Sequence, residues 1–510
     1  MTRILSLPGT ENKEPWLRYP QKISVLPYLL DHHFAGKTIF PAVEILQRLG
    51  ATVLDRQPEA GVEVMQNAAF DRFLEIGPDD LEIEVFHDLK AGENGRMSAR
   101  LVTVTPSGKS GIKREKIHAE ADFAGPAKSI PGFPYDMAAS LEGIGFRIPA
   151  QRLYDELVPF GHAFRSLQGE VILTENGGIA PVLAATYPAP TSPLGSTFPF
   201  DGIMHIACAW SQRFHGIVAF PVGFEERRVP VPTVPGEMYF CRVTPVSAEK
   251  DVLSFDMAIY DRTGNLREYI RGVKMKDVSG GRIKPPQWVR HDGADPLVTL
   301  RAHCRTLAVV EDAAVFDYAA RALTAVEASR FAKMGKRRQR GFLTGRLALK
   351  ALARKLANDD HLTSAEHIHT MMEDRLRPFC PALTGETPVF CSLSHDRRFA
   401  VAVGSDKEIG VDVEILSERA LKARHLYMTE EERSLSDASL LGRLPAAIRI
   451  WSIKEGVTKA VNMPIGESWK KVHVTDIGLH ESRLTVDDQK FLAFHDTVDD
   501  HVFTLVKRVS

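Results

Sequence analysis

The 510-residue chain predicts an α+β protein of several domains, and three observations carry that reading. Period-two apolar runs joined by Gly/Asn turns fill much of the chain up to residue 279. Two helical segments stand among them, one from Ala42 and one from Asp201. From about Leu297 the texture changes to longer helices alternating with short apolar strands.

Taken in order, the stretch from Asp31 to Pro41 puts His32 on a loop, Gly36 four residues later and Pro41 five beyond that. An amphipathic helix follows from Ala42 to about Val53, with Val43, Ile45, Leu46, Leu49 and Val53 at helical spacing. Pro41 suits its first turn, where a missing N–H costs nothing. Leu81, Ile83 and Val85 alternate before the turn at 91–95, and Ile117, Ala119, Ala121 and Phe123 alternate again. One helix wrapped by an antiparallel sheet is the plan of a hot-dog fold. After a Pro/Gly-rich break the plan returns, with a strand at 167–173 and a helix from Asp201 to about Phe214. Strands at 238–243, 253–259 and 268–278 follow.

The reading is therefore a double hot-dog, residues 16–130 and 135–279, each half covering the other's open sheet edge. Residues 280–296, with Gly280, Gly281, Pro285, Pro286 and Gly293, read as a linker before a domain spanning 297–510. There 325–356 is helix-rich, and 390–395 and 399–403 read as buried strands.

Composition removes several function classes. A net charge of −1 leaves no basic field to hold nucleic acid or an anionic membrane. No run suits a membrane span or a signal peptide. The five cysteines are far apart, without a CxxC pair, which suggests free thiols in a reducing, cytoplasmic setting.

Chemistry-bearing residues gather in two constellations. In the first, Asp201 and His205 are four apart on the second helix and share a face, with Ile203, Ile206, Ala207 and Trp210 around its apolar side. An N-cap aspartate beside a buried histidine would give the same spacing. His32, Gly36 and Pro41 match the HxxxGxxxxP motif of polyketide and fatty acid synthase dehydratase domains, and Asp201 and His205 match their DxxxQ/H motif. The segment 160–164 resembles the same family's YGxxF loop, with Phe160 replacing tyrosine. Ala42 stands where that family often has a second glycine. The resemblance implies loss of water from a 3-hydroxyacyl thioester held on an acyl carrier protein. By it His32 is the base, Asp201 the proton donor, His205 the residue that orients Asp201, and the Gly36 N–H polarises the thioester carbonyl.

In the second constellation, Asp412 and Glu414 sit at i and i+2 of an apolar strand and so share a face. Trp451, Glu455 and Lys459 recur every four residues along a helix. Three carboxylates with a lysine suggest Mg²⁺ and a phosphate. Arg346 and Lys350 share a helix face, and 392–395 ends a strand. Residues 342–346 (FLTGR), 392–395, 410–414 (GVDVE) and 451–459 (WSIKEGVTK), in that order, resemble Sfp-like 4′-phosphopantetheinyl transferases. That resemblance implies a pseudo-twofold α+β domain using coenzyme A as substrate. Asp412, Glu414 and Glu455 would hold Mg²⁺, and Arg346, His395 and Lys459 would contact coenzyme A phosphates. Lys350, Arg377, Ser394 and Lys454 are further candidates for coenzyme A contacts. Glu455, or a water on the metal, would take the proton from the carrier's serine.

Together the resemblances imply a bifunctional enzyme whose partners are acyl carrier protein, coenzyme A and a 3-hydroxyacyl thioester. Polyketide or polyunsaturated fatty acid synthesis is the implied setting. The alternatives keep the transferase and make the hot-dog half a carrier-docking module, a thioesterase or a product-shaping domain.

Overall fold

A computed structural model of the protein describes residues 15–107, 112–125, 142–185, 192–249, 251–311, 321–358, 364–370 and 389–509. The chain forms two compact units. The first comprises Met1–Pro131, Arg147–Val171 and Gly178–Arg290, and the second Gly132–Phe146, Ile172–Gly177 and His291–Ser510.

The first unit holds β1 (Leu17–Ser24), β2 (His33–Phe34), β3 (Lys37–Ile39), α1 (Ala42–Arg56), β4 (Val64–Ala69), β5 (Glu75–Ile76), β6 (Glu82–Ala91), β7 (Met97–Ser107) and β8 (Ile112–Phe123). After β9 (Phe146–Pro149) come α2 (Ala150–Glu156), β10 (Glu170–Thr174), β11 (Gly177–Leu183), α3 (Phe198–His215), β12 (Phe220–Arg228), β13 (Met238–Glu249), β14 (Val252–Asp261) and β15 (Leu266–Lys276). One twelve-stranded sheet runs β1-β6-β7-β8-β4-β12-β15-β14-β13-β11-β10-β9. Strands β6, β7 and β8 pack on α1, while β12, β13 and β14 pack on α3. The antiparallel β4–β12 pairing joins the two inner edges, so neither is left open. A Cβ at Gly223 would run into the Ala68 carbonyl, so this seam requires glycine there. The architecture is the double hot-dog predicted from the sequence.

Both wrapped helices follow from composition. In α1 the buried face carries Val43, Ile45, Leu46, Leu49 and Val53, and Pro41 stands one residue earlier than expected, at the N-cap. Helix α3 is buried from Phe198 through Gln212, as a helix enclosed by its sheet must be, and ends at Gly216 with φ +65°. It begins three residues before the predicted Asp201 because Pro199 fits its first turn.

The second unit is two modules of like plan, each a helix laid on a sheet. In the first, α6 (Lys336–Ala357) crosses the sheet formed by β16 (Thr306–Glu311), β17 (Phe390–His395) and β18 (Phe399–Ser405), with α5 (Ala325–Ala332) beside α6 and α4 (Val298–His303) preceding β16 in the chain. In the second, β19 (Ile409–Ile415) is followed by α7 (Glu418–Tyr427), α8 (Glu430–Asp437) and α9 (Arg443–Val461). Helix α10 (Ile465–Lys471) precedes β20 (Val472–Ile477), β21 (Glu481–Val486), β22 (Gln489–Val498) and β23 (His501–Arg508). These strands order as β19-β23-β22-β21-β20, and α9 packs on β19 and β23. Helix α9 starts eight residues before the predicted Trp451, because Ala446, Ala447, Ile448 and Ile450 bury its first turns. Among the described residues no helix is long and apolar enough to cross a membrane.

Candidate functional site

In the first unit the site is a cavity of about 470 Å³ lined by His32, Phe160, Asp201, His205 and a mostly apolar wall. The loop carrying His32 is fixed by the β2–β3 hairpin, where the Ile39 N–H donates to the His32 carbonyl at 2.9 Å. Ala35 (φ +51°) and Gly36 (φ +79°) make its two-residue turn, and only a left-handed backbone closes such a turn. Gly36 lies exposed at that tip and does not line the cavity. This corrects the expected carbonyl-polarising role: the glycine serves the turn.

His32 Nδ1 lies 2.8 Å from the Ile39 carbonyl, which can only accept, so Nδ1 carries the proton and Nε2 is the bare base. Nε2 points toward Asp201 Oδ1, 4.0 Å away. Burial lowers the His32 pKa, and the nearby Asp201 carboxyl offsets this only in part. The ring stacks on Phe160 at 4.6 Å and meets Phe164 edge-on at 4.9 Å.

Asp201 and His205 project from one face of α3, with His205 Nε2 at 3.1 Å from Asp201 Oδ2. The two atoms are misaligned for a hydrogen bond, and both are buried without another partner. Two residues the sequence reading missed hold this arrangement. The Tyr154 hydroxyl accepts the Leu167 N–H at 2.9 Å and lies 3.1 Å from His205 Nδ1. It is left to donate to Nδ1, which turns Nε2–H toward Asp201. Asp31 accepts from Ala163 N–H at 2.8 Å through its carboxylate and from Gly161 N–H at 2.8 Å through its backbone, clamping the 160–164 loop beside His32. A Cβ at Gly161 would collide with that carboxylate, so Gly161 in the FGHAF stretch is the readable sign of the clamp.

In the second unit β19 and α9 approach closely. A Cβ on Gly410 would strike the Gly456 carbonyl, so the two glycines permit backbone contact. That contact sets Glu455 and Lys459 beside Asp412 and Glu414. Gly410→Ala should destabilise the second unit by about 1–3 kcal/mol, read in urea melts of the full chain. An unchanged midpoint would contradict this packing.

Asp412 is buried, with Oδ1 accepting from Ser394 at 2.8 Å and Lys459 at 2.7 Å, and Oδ2 from Ser452 at 2.8 Å. Trp451 Nε1 donates to Glu414 at 3.0 Å. Burial and the Asp412 charge push Glu414 up to about 7, with the Trp451 N–H opposing. Burial and Asp412 raise Glu455 as well. As the side chains stand, no three His, Cys, Asp or Glu among the described residues converge tightly enough to hold a metal ion. The donor set still fits a hard cation: three carboxylates supply oxygen ligands, and the burial and neighbouring charge that disfavour ionised Glu414 and Glu455 are a penalty that a divalent ion relieves. Lys459 now neutralises part of that charge.

The other candidates divide. Ser394 touches Asp412 and Lys459, and His395 ends β17 with its ring in the space left by Gly341 and Gly345 of α6. Arg346 is buried and donates to the Thr370 carbonyl at 3.0 Å. Two lysines are corrections. Lys350 is fully buried, pairing Glu327 at 2.8 Å and donating to the Ala322 and Ala365 carbonyls at 2.7 Å each. Lys454 is equally buried, bonded to Glu432 at 2.8 Å and the Tyr427 carbonyl at 2.7 Å. A buried ammonium must spend its donors this way, so both lysines brace the fold and neither faces a ligand. Arg377 lies outside the described residues.

The turn after His395 is anchored by Asp396, which accepts from the Arg398 and Phe399 N–H groups and pairs with His501 at 2.7 Å. Burial alone would lower the His501 pKa, but the Asp396 hydrogen bond and charge, with Asp500 adding, carry it above 6.5. Since the folded value is the raised one, this stabilisation is complete below the unfolded pKa and fades as pH rises through the folded pKa. Urea melts should show it, with His501→Gln flattening the slope. An identical slope in the variant would exclude His501 as its source.

Residues 408–506 match the family model of the 4′-phosphopantetheinyl transferase superfamily. That match contains Asp412, Glu414, Glu455 and Lys459. No curated protein sequence matches the chain. Among solved structures, a trans-AT polyketide synthase dehydratase domain from Brevibacillus brevis is 13% identical, covering 52% of this chain and 94% of that one, with a TM-score of 0.42. The dehydratase domain from the CurJ module of the curacin polyketide synthase is 16% identical, covering 52% and 93%, TM-score 0.42. The dehydratase domain of a mycocerosic acid synthase-like polyketide synthase is 15% identical, covering 54% and 97%, TM-score 0.40.

Proposed function

We propose that the chain carries two activities directed at acyl carrier proteins. The second unit transfers 4′-phosphopantetheine from coenzyme A to a carrier serine. The first removes water from a 3-hydroxyacyl thioester on such an arm, giving the 2-enoyl thioester. The observation that carries the reading is the gathering of Asp412, Glu414 and Glu455 inside the superfamily match. Polyketide or polyunsaturated fatty acid synthesis is the setting it suits.

For the transfer, Asp412, Glu414 and Glu455 would hold Mg²⁺, which when bound supplies positive charge to the pyrophosphate of coenzyme A. Lys459 would leave Asp412 for the same phosphates, and His395 would face them from the end of β17. The serine oxygen attacks the β-phosphorus as the bond to 3′,5′-ADP breaks. Glu455, its pKa already raised, suits the role of base for the serine proton.

For the dehydration, His32 Nε2 takes the α-proton and Asp201 protonates the departing β-hydroxyl. Their 4.0 Å separation brackets the two reacting carbons and lets the proton return afterward. The apolar wall excludes water, so the bare Nε2 meets a weak carbon acid without competition from solvent.

The full chain, incubated with apo carrier protein, coenzyme A and Mg²⁺, should yield holo carrier and 3′,5′-ADP by mass spectrometry. A 3-hydroxyacyl carrier added next should become the enoyl species. An unmodified carrier would refute the transferase reading. Free acid or unchanged thioester would replace the dehydratase with a thioesterase or a docking module.

A further inference from the structure

Glu44 takes no part in the dehydration chemistry, yet it is a buried carboxyl between the two groups that do. It stands in the first turn of α1, 2% exposed and flanked in sequence by Val43 and Ile45. A carboxyl in that position costs desolvation that an apolar side chain would not. Burial accordingly raises its pKa, with Arg48 and two hydroxyl donors opposing the rise. The position gains two hydrogen bonds on one oxygen. The Tyr28 hydroxyl donates to Oε1 at 3.1 Å, and Thr197 Oγ1 donates to it at 3.0 Å.

Each donor stands four residues before a catalytic group. Tyr28 lies in the short turn Pro27–Asp31 that runs into His32, whose N–H donates to the Leu29 carbonyl at 3.2 Å. Thr197 is the N-cap of α3, and its carbonyl accepts the Asp201 N–H at 2.9 Å. A threonine at an N-cap ordinarily turns its hydroxyl onto the first N–H groups of its own helix, a bond worth about 1 kcal/mol. Thr197 makes no such bond and gives its hydroxyl to Glu44 instead. One carboxyl of α1 therefore holds both the approach to the base and the start of the acid's helix. Gln47, one turn along the same face, fixes the lead-in to α3 again by donating to the Gly195 carbonyl at 3.0 Å.

We propose that Glu44 is a positioning residue: by holding Tyr28 and Thr197 on one oxygen, it sets the 4.0 Å between His32 Nε2 and Asp201 Oδ1. Its effect on rate rests on the dehydratase reading, whereas the spacing can be measured without activity.

The test is steady-state dehydration of a 3-hydroxyacyl carrier by the full chain. Glu44→Leu should lower kcat about tenfold to a hundredfold and leave KM within about twofold, since a shift of about 1 Å suffices for that loss. Glu44→Gln presents an amide oxygen to both hydroxyls and should restore most of the rate. Thr197→Val removes one donor without removing a cap bond, so kcat should fall about tenfold, and Thr197→Ser should recover it. Crystals of Glu44→Leu and Thr197→Val should show the His32–Asp201 gap wider by about 1 Å. Wild-type kcat in folded Glu44→Leu would overturn the proposal. So would a rise in KM alone, or a loss that glutamine does not restore. If Glu44→Leu fails to fold, the Thr197 pair decides. If the unmodified chain dehydrates nothing, the dehydratase reading falls, and the gap in the variant crystals decides. An unchanged gap would then overturn the positioning role.

Discussion

Asp412→Ala is expected to lower phosphopantetheinyl transfer by at least about a hundredfold, more than the loss usual for a residue that only orients a metal ligand. The carboxylate has three partners on two segments: Ser394 on β17, and Ser452 and Lys459, two turns apart, on α9. Its removal takes away one expected metal ligand and frees Lys459 to swing out. Lys459 is 26% exposed, so it can reach water and need not be left as a buried unpaired charge. The second unit should therefore stay folded. Asp412→Asn keeps the shape and the acceptor for one serine, and it should lose transfer to nearly the same extent. Holo-carrier formation measured against Mg²⁺ concentration, with circular dichroism as the folding control, is the direct test. Wild-type turnover by either variant at low Mg²⁺ would remove Asp412 from the metal set, whereas a collapsed melting curve would make its role structural.

The sequence revealed spacing, and spacing was enough to place side chains on a shared face of one element. Asp412 and Glu414 two apart on a strand, Glu455 and Lys459 four apart on a helix, and Asp201 and His205 on α3 all fall on the faces expected. What spacing cannot show is the partner waiting across the fold. Lys350 and Lys454 have the chemistry of phosphate ligands, but Glu327 and Glu432 claim them in the interior. Both glutamates also close capping boxes, with Thr324 and Thr429, so their burial was coded by local signals for helix starts. Gly36 fits a motif, yet its left-handed turn places it at an exposed tip. Tyr154 was missed because nothing at 51 residues' remove marks it as the partner of His205. Aromatic residues at a helix face read as core until the fold brings a histidine to them.

His32→Ala and Asp201→Asn should each reduce dehydration by about 10²- to 10⁴-fold, the range expected for losing a positioned base or acid. The two groups come from different hot-dog modules and meet in one cavity, His32 from the loop before α1 and Asp201 from the first turn of α3. His205→Gln should retain far more activity, because a glutamine amide at that position can also present an N–H to Asp201. The pH profile separates a base from a merely structural histidine. Burial lowers the His32 pKa, so the ring stays neutral, and therefore competent, at pH values below the 6.5 of an ordinary histidine. The acid limb of the rate should lie correspondingly low. In His32→Ala the residual rate should lose that limb, since the base whose protonation produces it is gone. An acid limb unchanged in the variant would mean that another group titrates, and full activity in Asp201→Asn would leave the reaction without its proton donor. Either result would take the assigned role from the residue concerned and leave the dehydration to other groups.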